Sequence, residues 1–288
     1  MKRWQTTILA ILFLIPGISG FQPARAATAK AFGTAINLAG RQRMLTQKMS
    51  KEFLLVALGV DVEGNRKNLR QTIDLFDGTL KQLLTGDASA GIPAPPDPAI
   101  ETQLQKVADL WGKFKPAVAQ ALSQTKIPRE AIDTVERLNL PLLREMNEAV
   151  GLYEAASAKA GFKSLGKVVN IAGRQRMLTQ KMAKEAFLIA LGVHPDKNRE
   201  MLKKTRDLFE NSHRALLAGD AAQGLPPTKD PAIRAQMETV GKLWKEYRQA
   251  IDQVLGASSV PDDLIRKIAA LNPKVLAEMH KAVGMYAR

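Results

Sequence analysis

The sequence predicts an all-α protein built as two tandem up-down-up-down four-helix bundles. Three observations lead there. Ala, Leu, Lys, Gln and Arg abound, aromatics are only 5% and β-branched runs are few, a composition that favours helix. Hydrophobic residues reach 45%, enough for packed cores. The third observation is an internal repeat. Ala39-Gly-Arg-Gln-Arg-Met-Leu-Thr-Gln-Lys-Met49 returns letter for letter as Ala172 to Met182, and the same shift of 133 lays Asn37–Tyr153 over Asn170–Tyr286. A unit of about 117 residues is too long for a solenoid repeat, so a whole domain is duplicated.

Residues 1–26 read as a secretory signal. Lys2 and Arg3 form a basic start, Ile8 to Ile15 an apolar run, and Ala24-Arg25-Ala26 a small-x-small cleavage pattern. The run is far short of the ~20 residues a span needs. The expected mature protein is exported, soluble and periplasmic, with bundle 1 at 27–155 and bundle 2 at 156–288. Removing the signal leaves +11 of the formal +14 charge. Export argues against nucleic acid and points to small anions, anionic headgroups or wall polymers as partners.

The first helix runs from about Thr28 to Leu58 and stops at Gly59. The second covers about Asn65–Thr85 and stops at Gly86. Asp97 caps the third, with Pro98 at its first position, and Pro116 allows a kink before about Gln124. Pro128 opens the fourth, which reaches about Tyr153 with a break expected near Asn139–Pro141. The second unit repeats the pattern, with stops at Gly192 and Gly219, starts at Asp230 and Pro261, and a break at Asn272-Pro273. Glu154 to Ala160 contains no breaker. A continuous helix stacking the bundles end to end is therefore the expectation, although Gly161 and Gly166 permit a fold-back that sets them side by side.

On a helical wheel the first helix has three faces. Leu38, Leu45, Met49 and Val56 form the core stripe. Ile36, Gly40, Arg43, Gln47, Ser50 and Leu54 form a second face, small and apolar around one arginine. Asn37, Arg41, Lys48 and Lys51 form a polar side. Glycine inside a helix costs about 1 kcal/mol against alanine, so Gly40 and Gly173 point to a close approach by a helix or a ligand. Two such faces brought together would place Arg43 and Arg176 side by side, which is repulsive unless an anion lies between them. Planar, forked guanidinium suits nitrate, nitrite or a carboxylate. Gln47 and Gln180, one turn on, offer neutral donors. An ion pair to a neighbouring acid is the plainer alternative for each arginine.

Ile36 to Met49 resembles the signature of the PilJ-type domain, the N-terminal sensory domain of type IV pili methyl-accepting chemotaxis transducers. It is also similar to the first-helix motif of nitrate/nitrite sensor histidine kinases. The resemblance covers both units. It implies a periplasmic bundle that dimerises through helix 1 and holds one anion at the interface with an arginine from each copy. Carried over, the ligand-binding residues are Gly40, Arg43, Gly173 and Arg176. A second basic position falls on Lys48 and Lys181, where those sensors have arginine. Those sensors also have membrane-spanning and output segments, whereas this chain stops after its second unit, which implies a soluble binder or an accessory that presents ligand to a membrane chemoreceptor or sensor.

His194, His213 and His280 have no counterparts in the first unit and there is no cysteine, so neither a metal nor a cofactor is expected. Glu145 and Glu278 read as partners for nearby cations, and Trp111 and Trp244 as core. No catalytic constellation appears, so the protein is not expected to be an enzyme. Two readings remain. One is an anion-binding sensory module. The other is an interaction protein of a pilus or chemoreceptor system, with the helix 1 face as a bare homodimer seam.

Overall fold

A computed structural model describes residues 28–287; the targeting segment read at 1–26 lies outside the described residues. Eight α-helices form two sets of four. In the first, α1 is Ala29–Ala57, α2 Val62–Thr85, α3 Pro98–Ala119 and α4 Arg129–Lys159. In the second, α5 is Lys163–Ala190, α6 Pro195–Ala218, α7 Pro231–Gly256 and α8 Asp262–Tyr286. None of them is long and apolar enough to cross a membrane.

The local signals behave as their chemistry demands. Thr28 caps α1 by accepting from the Ala31 amide at 3.2 Å, and Asp97 caps α3 through Ala99 at 2.9 Å. Gly59, Gly86, Gly192 and Gly219 stop their helices at positive φ. In each set the first helix packs on the second and fourth, and the third on the fourth. The repeated tryptophans fill these cores as expected. Trp111 lies 4.3 Å from Phe76 and Trp244 4.3 Å from Phe209, centroid to centroid.

Two expectations need correction. The breaks foreseen at Asn139–Pro141 and Asn272-Pro273 do not occur, and α4 and α8 run through both prolines. A proline costs a helix one internal hydrogen bond. Here one face of each helix is buried along its length, and Asn139 and Asn272 are tied to neighbouring helices. Tertiary contacts therefore outweigh the local penalty.

The continuous helix between the units does not form either. Helix α4 ends at Lys159, inside the stretch read as unbroken, and the chain reverses over Ala160, Gly161 and Phe162. Gly161 supplies the left-handed backbone at φ 91°. Gly166 lets α5 press against α4: a Cβ there would stand 3.2 Å from Ser157 and 3.4 Å from Ile36. The two sets consequently lie side by side, and α1 against α5 is the most extensive helix contact in the molecule. The pair runs parallel, with Gly40 opposite Gly173, so the repeats face each other across an internal pseudo-two-fold axis.

Candidate functional site

The site lies on the seam between α1 and α5. Ile36, Gly40, Arg43, Gln47, Ser50 and Leu54, the second face of the wheel, are all buried. Arg43 and Arg176 are both 0% exposed and are the two largest fully buried side chains. Each crosses to the other repeat. Arg43 Nη2 donates to the Asn170 carbonyl at 3.2 Å, and Arg176 Nη2 donates to the Asn37 carbonyl at 3.0 Å. Arg43 Nη1 donates to Asn147 Oδ1 at 2.8 Å. At the equivalent place Arg176 Nη1 meets His280 Nδ1 at 3.3 Å.

The glycines make room for these groups. A Cβ on Gly40 would stand 3.4 Å from Arg43 Nη2 and 3.6 Å from Arg176 Nη2, and one on Gly173 would meet the same two atoms at 3.6 and 3.5 Å. The two guanidinium groups thus converge in one space between the two glycines. Neither makes an ion pair among the described residues, and the Nε–H of each is buried with no acceptor. The plainer alternative, an arginine satisfied by a neighbouring acid, is therefore not what the fold builds. Burial pushes each guanidinium down to about 9; Arg174 and Arg176 add to this for Arg43, and Arg41 for Arg176. Both remain cations at neutral pH. The Glu154 carboxylate, which accepts from Asn170 Nδ2, partly offsets the charge on the Arg43 side only, because Ala287 holds the matching position.

Of the other residues singled out, Gln47 and Gln180 lie in the same buried seam. Their Nε2 atoms donate to Thr46 Oγ1 at 2.9 Å and Thr179 Oγ1 at 3.2 Å, and their Oε1 atoms meet no donor. Lys48 and Lys181 are not brought to the arginines. They pair with Glu52 and Glu185 and donate to Thr72 and Thr205 at 2.7 and 2.8 Å, on the flanks facing α2 and α6. Arg41 is half-buried and donates to Thr79 Oγ1 at 3.1 Å, and its charge acts on Arg176. Glu145 and Glu278 accept from Gln103 and Gln236 as well as from cations.

Residue-by-residue reading missed two features. The first is the pair Asn147 and His280, which differ between the repeats and so escape a search for what was copied. The second is the Lys51 and Lys184 pair, of which Lys51 was assigned to the polar side and Lys184 not singled out. Lys51 is buried and donates to Asn272 Oδ1 at 3.1 Å, while Lys184 donates to Asn139 Oδ1 at 2.9 Å. These four residues recur at the repeat spacing, and that was the available signal.

Burial pushes the Lys51 and Lys184 ammonium groups down to about 8, with Glu52 and Glu185 opposing. Their protonated forms are thus less favourable folded than unfolded, where lysine titrates near 10.4. Between those values the unfolded chain binds more protons, so stability rises with pH. We expect the urea midpoint to climb between about pH 8 and pH 10, and Lys51→Met with Lys184→Met to flatten that climb. A wild-type midpoint that stays level or falls over this window would contradict the assignment.

Comparison with known proteins gives a consistent picture. The family model for the type IV pili methyl-accepting chemotaxis transducer N-terminal region, PilJ, matches residues 26–137 and again 160–266. Among curated proteins, the chain is 34% identical over 119 residues to the methyl-accepting chemotaxis protein McpN of Pseudomonas aeruginosa. That match covers 41% of this chain and only 22% of the relative's length. Among solved structures, the ligand-binding domain of the P. aeruginosa nitrate receptor McpN is 34% identical over 41% of this chain and 92% of its own, with a TM-score of 0.37.

Proposed function

The chain belongs to the PilJ family, the N-terminal domain of type IV pili methyl-accepting chemotaxis transducers, and from that premise we propose that it binds one small oxyanion, nitrate or nitrite, between Arg43 and Arg176. The observation that carries the reading is the convergence of two fully buried guanidinium groups, with no acid paired to either and a free Nε–H on each. Taking two such cations out of water without a counter-ion costs several kcal/mol, and an anion between them offsets that cost. A planar three-oxygen or bent two-oxygen anion accepts from the Nε edges of both. The sequence identity to McpN, a nitrate receptor, supports this choice of ligand.

The duplicated chain does within itself what a dimer of single domains does with two copies. The close-approach face of α1 is covered by α5, so a homodimer through that face is displaced by the internal pair. The protein acts, in this reading, as an exported periplasmic binder whose occupancy is reported by a membrane chemoreceptor or sensor.

Calorimetry of the purified chain with sodium nitrate and sodium nitrite, at constant ionic strength set by chloride, tests the proposal. The expected result is one anion per monomeric chain. At a hundred times the dissociation constant the folded state should gain about 2.7 kcal/mol, read as a higher melting temperature. Neither heat nor a thermal shift with either anion at millimolar concentration would end the proposal. Two anions per chain would overturn the shared site.

A further inference from the structure

The repeat supplies its own control at a second place. A cleft of about 500 Å³ opens between α1 and α2 of the first unit and α8 of the second, lined among others by Lys51, Arg266, Ala269, Pro273 and Leu276. Its twin lies between α5, α6 and α4. There Glu136 carries the carboxylate, 12% exposed, that accepts from Lys197 Nζ at 2.9 Å and whose charge also acts on the buried Lys184. At the matching positions of the open cleft the chain has Ala269 in place of Glu136 and Arg266 in place of Asp133. The cleft thus lacks the Glu136 carboxylate together with the Lys197 that pairs with it, whose place Gly64 takes; it gains the Arg266 cation, and Asp61 stands where the twin has His194.

This leaves Lys51 unbalanced. It is 7% exposed and donates one hydrogen bond, to Asn272 Oδ1, although an ammonium has three donors. The nearest acid, Glu52, is already engaged by Lys48 and Thr72. Arg266 is exposed and makes no ion pair among the described residues.

We propose that this cleft is a second ligand site, separate from the paired arginines, which takes the carboxylate of a small organic acid between Lys51 Nζ and Arg266. The apolar body of the acid rests on Ala269, Pro273 and Leu276. Three features select an organic acid over an inorganic anion. The α8 wall beside Arg266 carries the hydrocarbon of Ala269, Pro273 and Leu276. The volume falls within the range of roughly 300–1,000 Å³ typical of small-molecule sites and far exceeds a four-atom ion. In the twin a carboxylate, that of Glu136 held by Lys197, acts on the buried lysine equivalent to Lys51. Lys51 lies eight residues beyond Arg43, about 12 Å along α1, so the two ligands do not compete for space.

The test titrates hexanoate and benzoate into the full chain at constant ionic strength, following melting temperature and heat. It is run with saturating nitrate and repeated in Arg43→Gln with Arg176→Gln, so that failure of the arginine site and failure of this one are read separately. Both acids should raise the melting temperature of wild type in a dose-dependent way. Ala269→Glu should abolish that response and raise the ligand-free melting temperature, because it supplies the carboxylate from within. Arg266→Ala, a change at an exposed position, should weaken the response about tenfold through loss of one charge-assisted contact. No response of wild type to either acid at millimolar concentration overturns the proposal, as does a response that survives Ala269→Glu undiminished.

Discussion

Arg43→Gln combined with Arg176→Gln is expected to abolish the anion-dependent rise in melting temperature while leaving the anion-free protein at least as stable as wild type. The two halves of this result have different causes. Binding is lost because the anion's charged donors are gone, and each charge-assisted hydrogen bond contributes about 1.5–3 kcal/mol. A single Arg43→Gln change therefore weakens nitrate binding about 10- to 150-fold, and the double change removes it. Anion-free stability survives because the substitution withdraws two buried cations, neither of which forms an ion pair among the described residues. The lost hydrogen bonds to Asn147 Oδ1 and to the Asn170 and Asn37 carbonyls oppose this gain at about 1.5–3 kcal/mol each. Relieved desolvation of roughly several kcal/mol for each of the two ions outweighs them. Thermal denaturation with and without nitrate measures both quantities in one experiment. A double variant that melts well below wild type in the absence of anion would mean that the arginines are structural struts, and the site would have to be reassigned.

Asn139→Leu is expected to destabilise the fold by about 3–5 kcal/mol, the cost of breaking a buried charged contact from one side. Asn139 joins three helices. Its Nδ2 donates to the Thr46 carbonyl at 3.0 Å and to Ser50 Oγ at 2.8 Å on α1, and its Oδ1 accepts from Lys184 on α5. Leucine leaves the Lys184 ammonium buried without its acceptor. Asn272 holds the equivalent position, with Nδ2 to the Thr179 carbonyl at 2.8 Å and Oδ1 to Lys51, so Asn272→Leu should behave in the same way. The decisive comparison is Asn139→Leu with Lys184→Met. Removing both partners of a buried polar contact costs far less than removing one. The double variant should recover most of the loss in urea denaturation. If it is as unstable as Asn139→Leu alone, the asparagine acts through packing and its contacts with α1, and the bond to Lys184 is not what stabilises the interface.

The fold was legible because its signals are local and repeated. Capping residues, glycine stops and helical periodicity each act within a few residues, and Asp97, Gly59 and the wheel of α1 could be read one segment at a time. The close-approach face was legible for the same reason, since Gly40 carries a local cost that only a neighbour can justify. The proline breaks were misjudged because their cost is local but their compensation is not. It comes from Asn139 and Asn272 reaching across to other helices. Lys51 was placed in water because a wheel ranks residues by polarity, whereas this lysine has an acceptor 221 positions away.

By itself, then, the sequence determined that the protein is a doubled four-helix unit, which helix carries the distinctive face, and that Arg43 and Arg176 hold equivalent places on it. It left open where the second copy of that face would go. Gly161 and Phe162 decided this in three dimensions by turning α5 back along α4 and onto α1, and only then did the two arginines share one buried space. The reason is physical. Helix formation is set by short-range dihedral preferences and caps, so it is written along the chain. The chemistry of the seam is set by what two helices exclude from between them, and that exists only once they have packed.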